Sequence, residues 1–180
     1  MNENELQNHP HREDSLSKSR LPRSGLSKGT PAPDFRLPTL NNEELSLEKY
    51  RGQKVLLVFS DPECGPCNLL APYLESLARR TPDIQVIMLS RGEREVNLRK
   101  VEEHGMTFPV VLQKRWEISR LYAMFATPIA YLIDEEGIIT ADVAAGPEPI
   151  LNLLISAAIL SLLDSKITLG AETLVEPGME

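Results

Sequence analysis

The sequence predicts an α/β fold in which a central mixed β-sheet is flanked by helices on both faces. Two observations lead there. Apolar runs of strand length, Val55–Phe59, Ile84–Leu89 and Ile129–Ile133, are separated by segments whose apolar residues recur at helical spacing. Strand–helix–strand order joins the first two strands by a parallel crossover. The late run Ile129–Ile133 is instead followed by Asp134-Glu135-Glu136-Gly137 and a second run, Ile138–Val143, the pattern of an antiparallel hairpin.

Each element follows from its own residues. Residues 1–29 are polar, mixed in charge and short of apolar periodicity, so they read as a disordered arm. They hold no apolar stretch of the secretory kind. The chain as written is therefore expected in the cytoplasm, with an extracytoplasmic place open to a mature or truncated form. Pro31-Ala32-Pro33 marks entry into a domain over 30–164. Phe35, Leu37 and Leu40 alternate as in an edge strand that tolerates Pro38, Asn41-Asn42 signals a turn, and Glu44–Leu47 reads as the return. The central strand, Val55–Ser60, runs into a helix over Asn68–Arg80, which Thr81-Pro82-Asp83 breaks before the strand Ile84–Leu89. A helix over Glu93–Glu103 stops at His104-Gly105, a C-terminal cap. Phe108–Leu112 then reads as a strand, Trp116–Phe125 as a helix, and Pro149–Leu163 as the closing helix. Residues 165–180 read as a flexible tail.

Composition narrows the function. A chain of 180 residues with 42% hydrophobic content suits one domain with tails. A formal net charge of -7 argues against nucleic-acid binding and against anionic membrane surfaces. The longest apolar stretch, Ile150–Leu163, is interrupted by Asn152, Ser156 and Ser161 and is expected to fall short of a membrane span. Its surplus of apolar residues leaves room for a weak dimer or a membrane-protein partner.

Only two cysteines are present, Cys64 and Cys67, in Cys64-Gly65-Pro66-Cys67 at a strand-to-helix junction. Thiols three positions apart can close a short disulfide and reopen it. A cysteine at a helix N-terminus is biased toward the thiolate, because unpaired N–H groups and the macrodipole favour negative charge there. Competing uses are an inert buried pair and half of a zinc site. Zinc takes four ligands as a rule, and the only histidines are His9 and His11 in the arm and His104. His104 reads as a helix-end residue, Trp116 and Phe108 as packing residues. Arg91, Arg94, Arg99 and Lys100 read as a solvated helix face paired with Glu93, Glu95, Glu102 and Glu103.

With these residues in view, the chain resembles the thioredoxin superfamily, in its redoxin branch of TlpA-like and methylamine-utilisation-type thiol–disulfide oxidoreductases. The resemblance spans Gly29–Ala158 and rests on separated features. These are Thr30-Pro31-Ala32-Pro33-Asp34-Phe35, the strand end Phe59-Ser60-Asp61-Pro62-Glu63 before Cys64, and Pro72 inside the following helix. Gly105-Met106-Thr107-Phe108-Pro109-Val110, Ala126-Thr127-Pro128 and Tyr131-Leu132-Ile133-Asp134-Glu135-Glu136-Gly137 complete the set. It implies a thioredoxin-like fold and thiol–disulfide exchange with protein disulfides or dithiols, fed by an unknown electron donor and needing no metal, flavin or nucleotide. Cys64 would be the nucleophile and Cys67 the resolving thiol. Gly65 and Pro66 would turn the loop and tune the redox poise. Thr127-Pro128 would be a cis-proline loop whose backbone pairs with an extended substrate.

The chain departs from the family's pattern at three tuning positions. Val58 stands where thioredoxin has a buried carboxylate, Glu63 where it has a tryptophan, and Leu70 where some TlpA-like proteins place an acid. Asp61 and Glu63 leave negative charge beside Cys64, which opposes the thiolate. Two alternatives follow. A peroxiredoxin-like peroxidase would need Thr or Ser where Asp61 stands, and a redoxin-fold binding module would use the disulfide only as a switch.

Overall fold

A computed structural model describes residues 24–172, with side chains to 167. Of the arm expected over 1–29, residues 1–23 lie outside the described residues, as do the last residues, 173–180. Residues 24–29 correct that expectation: Leu26 packs on the core, the Gly25 N–H donates to the Ala123 carbonyl (3.2 Å), and the Gly29 N–H donates to the Ile139 carbonyl (2.7 Å). The mixed sheet is present, with strand order β5-β4-β3-β6-β7. Its strands are β3 (Lys54–Ser60), β4 (Ile84–Ser90), β5 (Val110–Leu112), β6 (Ile129–Ile133) and β7 (Ala144–Ala145). β3 pairs parallel with β4, and β4 with β5, while β6 runs antiparallel beside β3. The expected edge hairpin forms as a separate two-stranded sheet, β1 (Arg36–Pro38) with β2 (Glu44–Ser46), closed by a 3-10 turn over Leu47–Tyr50.

β3 lies between two other strands and buries both faces, so its side chains feed two cores in alternation. Val55, Leu57 and Phe59 point into one cluster with Ile87, Leu89, Tyr122, Ile129 and Tyr131. Leu56 and Val58 point into the other with Leu70, Leu74, Val86, Met88, Ile150 and Leu154. Helices cover the faces unequally. The second cluster is roofed by α1 (Gly65–Ala78), α2 (Arg94–His104) and α4 (Pro147–Glu172). The first is closed by the β1–β2 hairpin and by α3 (Glu117–Leu121). There Phe59, Tyr122 and Tyr131 form an aromatic cluster with centroids 5.2 to 6.1 Å apart.

Three elements differ from the sequence expectation. The helix expected over Trp116–Phe125 is cut to Glu117–Leu121, because Ala123 takes a left-handed conformation (φ 54°). The return strand expected over Ile138–Val143 is not regular. Ile139 faces Ile133, but Ala144 faces Ala130, so the return carries two extra residues over that stretch and pairs again only at β7. A bulge of this kind is invisible to periodicity. The closing helix is also longer than expected, running 26 residues through Asp164, Ser165 and Lys166 into what reads as tail. Its stretch Pro147–Ile167 is long and apolar enough to cross a membrane by length and composition, which corrects the estimate of its span. Ile150 and Leu154 are nevertheless fully buried in the second core, and Lys54 Nζ donates to Ser161 Oγ at 3.0 Å.

The helix that carries the dithiol is pinned at its far end by a buried carboxylate. Glu75 Oε1 accepts from Arg79 Nε (2.6 Å) and Thr107 Oγ1 (2.7 Å), and Oε2 accepts from the Thr107 N–H (2.8 Å). Burial alone raises the Glu75 pKa, but Arg79 and the two Thr107 donors outweigh it and hold the carboxyl below its ordinary value. A depressed folded-state pKa means that the ion contributes stability above its unfolded pKa and loses it as pH falls through the folded one. Glu75→Gln is therefore expected to cost about 1–3 kcal/mol at pH 7. Urea titrations should show that difference shrinking below about pH 4; a difference independent of pH would assign it to packing.

Candidate active site

The two cysteines lie where the C-terminal end of β3 meets the start of α1. Chain direction reverses over Asp61–Cys64, where the Cys64 N–H donates to the Asp61 carbonyl (3.1 Å) and the Glu63 N–H to Asp61 Oδ1 (2.9 Å). Cys64 is the N-cap of α1, with extended backbone (φ -83°, ψ 115°), and its sulfur accepts from the Cys67 N–H at 3.2 Å. Gly65 and Pro66 form the first helical turn, where the missing proline N–H costs nothing. Cys64 and Cys67 are joined as a disulfide, with Cα atoms 5.2 Å apart. Cys64 is half-buried, whereas Cys67 is only 3% exposed, so one sulfur faces solvent and the other faces the core.

Thr127 and Pro128 arrive from the neighbouring strand, immediately before β6, whose first residue pairs with Phe59 near the end of β3. The Thr127–Pro128 bond is cis, and the Thr127 carbonyl oxygen lies 3.6 Å from Cys64 Sγ. The site residues expected from sequence thus meet in one place, the two cysteines with Gly65 and Pro66 on one loop and Thr127 with Pro128 on the facing one.

Burial places the substituted tuning positions. Val58 and Leu70 are buried and apolar, and Glu63 is exposed. Among the described residues, the buried carboxylate on α1 is Glu75, eight residues beyond Cys67 and about 12 Å along a helix rising 1.5 Å per residue. Its acceptor oxygens are already engaged, so it anchors the helix and does not serve the thiols.

Periodicity missed a second set of neighbours. Arg91, expected on the solvated face of α2, precedes that helix and turns toward the dithiol loop. Its guanidinium lies 3.7 Å from Asp61 Oδ2 and stacks 3.8 Å above the Trp116 ring. Trp116 in turn meets Phe125 edge to face at 5.8 Å. Gly92, at φ +82°, passes so close to the dithiol loop that an added Cβ would sit 3.2 Å from Pro62. The signal for this contact was the lone tryptophan on a segment of weak helical pattern, which reads equally as core.

Residues 28–142 match the model of the AhpC/TSA family. The thiol–disulfide oxidoreductase ResA of Geobacillus thermodenitrificans is 31% identical over 118 residues, covering 64% of this chain and 68% of the relative. The thioredoxin-like protein YneN of Bacillus subtilis is 33% identical over 120 residues, covering 64% and 70%. Among solved structures, the thioredoxin domain of a thiol–disulfide oxidoreductase from Bacteroides vulgatus superposes with a TM-score of 0.67 at 22% identity. It covers 74% of this chain and 99% of that one, and it shows the thioredoxin-like fold.

Proposed function

The chain belongs to the AhpC/TSA family and is a thioredoxin-like thiol–disulfide oxidoreductase, and from that premise we propose that Cys64 and Cys67 exchange electrons with protein disulfides. One observation carries the proposal: a half-buried sulfur bonded to a buried one at a helix N-terminus, beside the carbonyl of half-buried Thr127. In the reducing direction, Cys64 thiolate attacks a substrate disulfide, one substrate sulfur leaves as thiolate, and a mixed disulfide forms. Cys67 then loses its proton and attacks Cys64 Sγ, releasing the second substrate sulfur. Two electrons pass to the substrate and the enzyme is left as the Cys64–Cys67 disulfide, which an electron donor must reduce again.

Local groups support this assignment of roles. The Cys67 N–H that points at Cys64 Sγ stabilises the attacking thiolate and disappears from no other hydrogen bond when it does so. Cys67, 3% exposed, is shielded from outside attack. Gly65 and Pro66 leave the rim of the site open, and the Thr127 backbone offers an edge for an extended substrate segment. The outer side of α4, where Ile159, Leu162, Leu163 and Ile167 are exposed, supports a contact with a second protein chain.

Equilibration of the protein in glutathione buffers of graded ratio, read by thiol labelling and mass, tests the reading. A two-electron transition is expected, and a midpoint near -270 mV, on the order of thioredoxin's, would place the pair on the reducing side. A disulfide that resists reduction would leave only the binding-module reading. Stoichiometric consumption of hydrogen peroxide at Cys64 would replace exchange with peroxidase chemistry.

A further inference from the structure

We propose that Arg91 is a positioning residue for this dithiol, cancelling the Asp61 charge beside Cys64 and thereby setting how readily Cys64 becomes a thiolate. The inference rests on the reading of Cys64 as the nucleophile and adds the group that tunes it.

The argument starts from an awkward acid. The Asp61 side chain helps shape the turn that presents Cys64, because its Oδ1 accepts the Glu63 N–H while the Asp61 backbone carbonyl accepts the Cys64 N–H. A carboxylate one turn from a thiol also disfavours the thiolate. Arg91 meets the remaining oxygen, Oδ2, at 3.7 Å, with the Asp61 side chain 19% exposed and the Arg91 side chain 30% exposed. Partial burial keeps such a pair from being fully screened by solvent.

Arg91 is itself held from several directions. Its N–H donates to the Ser60 carbonyl (3.2 Å), and its carbonyl accepts from buried Asn97 Nδ2 (2.8 Å) and from Ser90 Oγ (3.3 Å). Its guanidinium carbon lies over the Trp116 ring, 3.8 Å from the centroid, and that ring meets Phe125, two residues before Thr127. The contacts therefore run from the Cys64 turn through Arg91 and Trp116 to the loop that faces Cys64. Lysine could supply the charge at this place but not the planar stack.

Other charges near the dithiol do not do this work. On its own loop, Glu63 is exposed. The facing loop brings Phe125, Ala126, Thr127 and Pro128, none of them charged. On the segment entering α3, Lys114 and Arg115 are exposed, and the Glu117 carboxylate is taken up by their two backbone N–H groups at 2.8 Å. From α1, the side chains of the first turns are Asn68, Leu69 and Leu70.

The test is the pH profile of iodoacetamide alkylation of the reduced protein, with the modified cysteine located by mass spectrometry. Arg91→Gln should slow alkylation of Cys64 about 3- to 10-fold at pH 6–7 and leave the high-pH plateau unchanged, a shift of the profile by about half a unit to one unit. Asp61→Asn keeps the oxygen that caps Glu63 and removes the charge, so it should speed alkylation in the same range. The double variant should return close to the parent, and Arg91→Lys should restore most of the parent rate. A purely structural role would not give opposite signs from the two single variants. Profiles of Arg91→Gln and parent that coincide would overturn the proposal, as would a double variant as slow as Arg91→Gln. If Arg91→Gln does not fold, Asp61→Asn decides alone, and an unchanged or slower rate overturns the proposal. Alkylation found at Cys67 rather than Cys64 would instead overturn the underlying assignment of the nucleophile, a distinct result.

Discussion

Cys64→Ser is expected to reduce insulin-disulfide reduction to the uncatalysed background, while Cys67→Ser is expected to halt turnover with substrate still attached. Serine in place of Cys64 removes the half-exposed sulfur of the pair, and a hydroxyl has no thiolate-like nucleophilicity near neutral pH. The second variant keeps that sulfur but lacks the thiol that must displace substrate from it, so mixed disulfides should accumulate on non-reducing gels. Accumulation on Cys64→Ser instead would reverse the two roles, and activity in both single variants would end the exchange reading. The expected asymmetry follows burial, since Cys67 is 3% exposed whereas Cys64 is half-buried.

Tyr122→Ala should be the most damaging change outside the dithiol. The ring is fully buried, with centroids 5.2 Å from both Phe59 and Tyr131. Its hydroxyl donates to the Pro33 carbonyl at 2.8 Å, and its own carbonyl accepts from the Tyr131 hydroxyl at 2.7 Å. One side chain thus fills the first core and fastens the entry segment to it. Truncation is expected to cost about 3–5 kcal/mol, comparable to other buried aromatic deletions. In a domain of this size that lowers the Tm by about 10 °C or more, measurable by calorimetry; a loss under about 1 kcal/mol would show that the site collapses around the cavity. Tyr122→Phe isolates the hydroxyl and should cost about 1 kcal/mol. Burial, reinforced by the Asp34 charge and by Tyr131, pushes the phenol pKa well up. The unfolded chain then loses this proton first, so the contribution is complete below the unfolded pKa and falls away as pH rises beyond about 10. Tyr122→Phe should accordingly blunt the alkaline loss of stability.

The strands were legible because β3 and β4 are buried on both faces, which requires continuous apolar runs, and Val55–Phe59 and Val86–Leu89 are such runs. The end of α2 was legible from Gly105, which takes the left-handed conformation a C-terminal cap demands. The return after β6 was not, because a bulge shifts register without changing which residues are apolar. The end of α4 was also missed, since Asp164, Ser165 and Lys166 look like a stop in one dimension but sit on an exposed stretch that a helix accommodates.

The chemistry was written locally: two thiols three residues apart, a strand that delivers them, a helix start that favours their ionised form, and a Thr-Pro pair before the last long strand. Those features depend on near neighbours in the chain, and short-range pattern carries them. The environment of the thiols was settled only by folding. Asp61 looked like an uncompensated acid until the ends of β3 and β4 came side by side and set Arg91 against it, with Trp116 from a third segment completing the stack. Charge compensation depends on distance in space, and residues separated by 30 or 55 positions have no fixed distance until the sheet brings their loops to one edge.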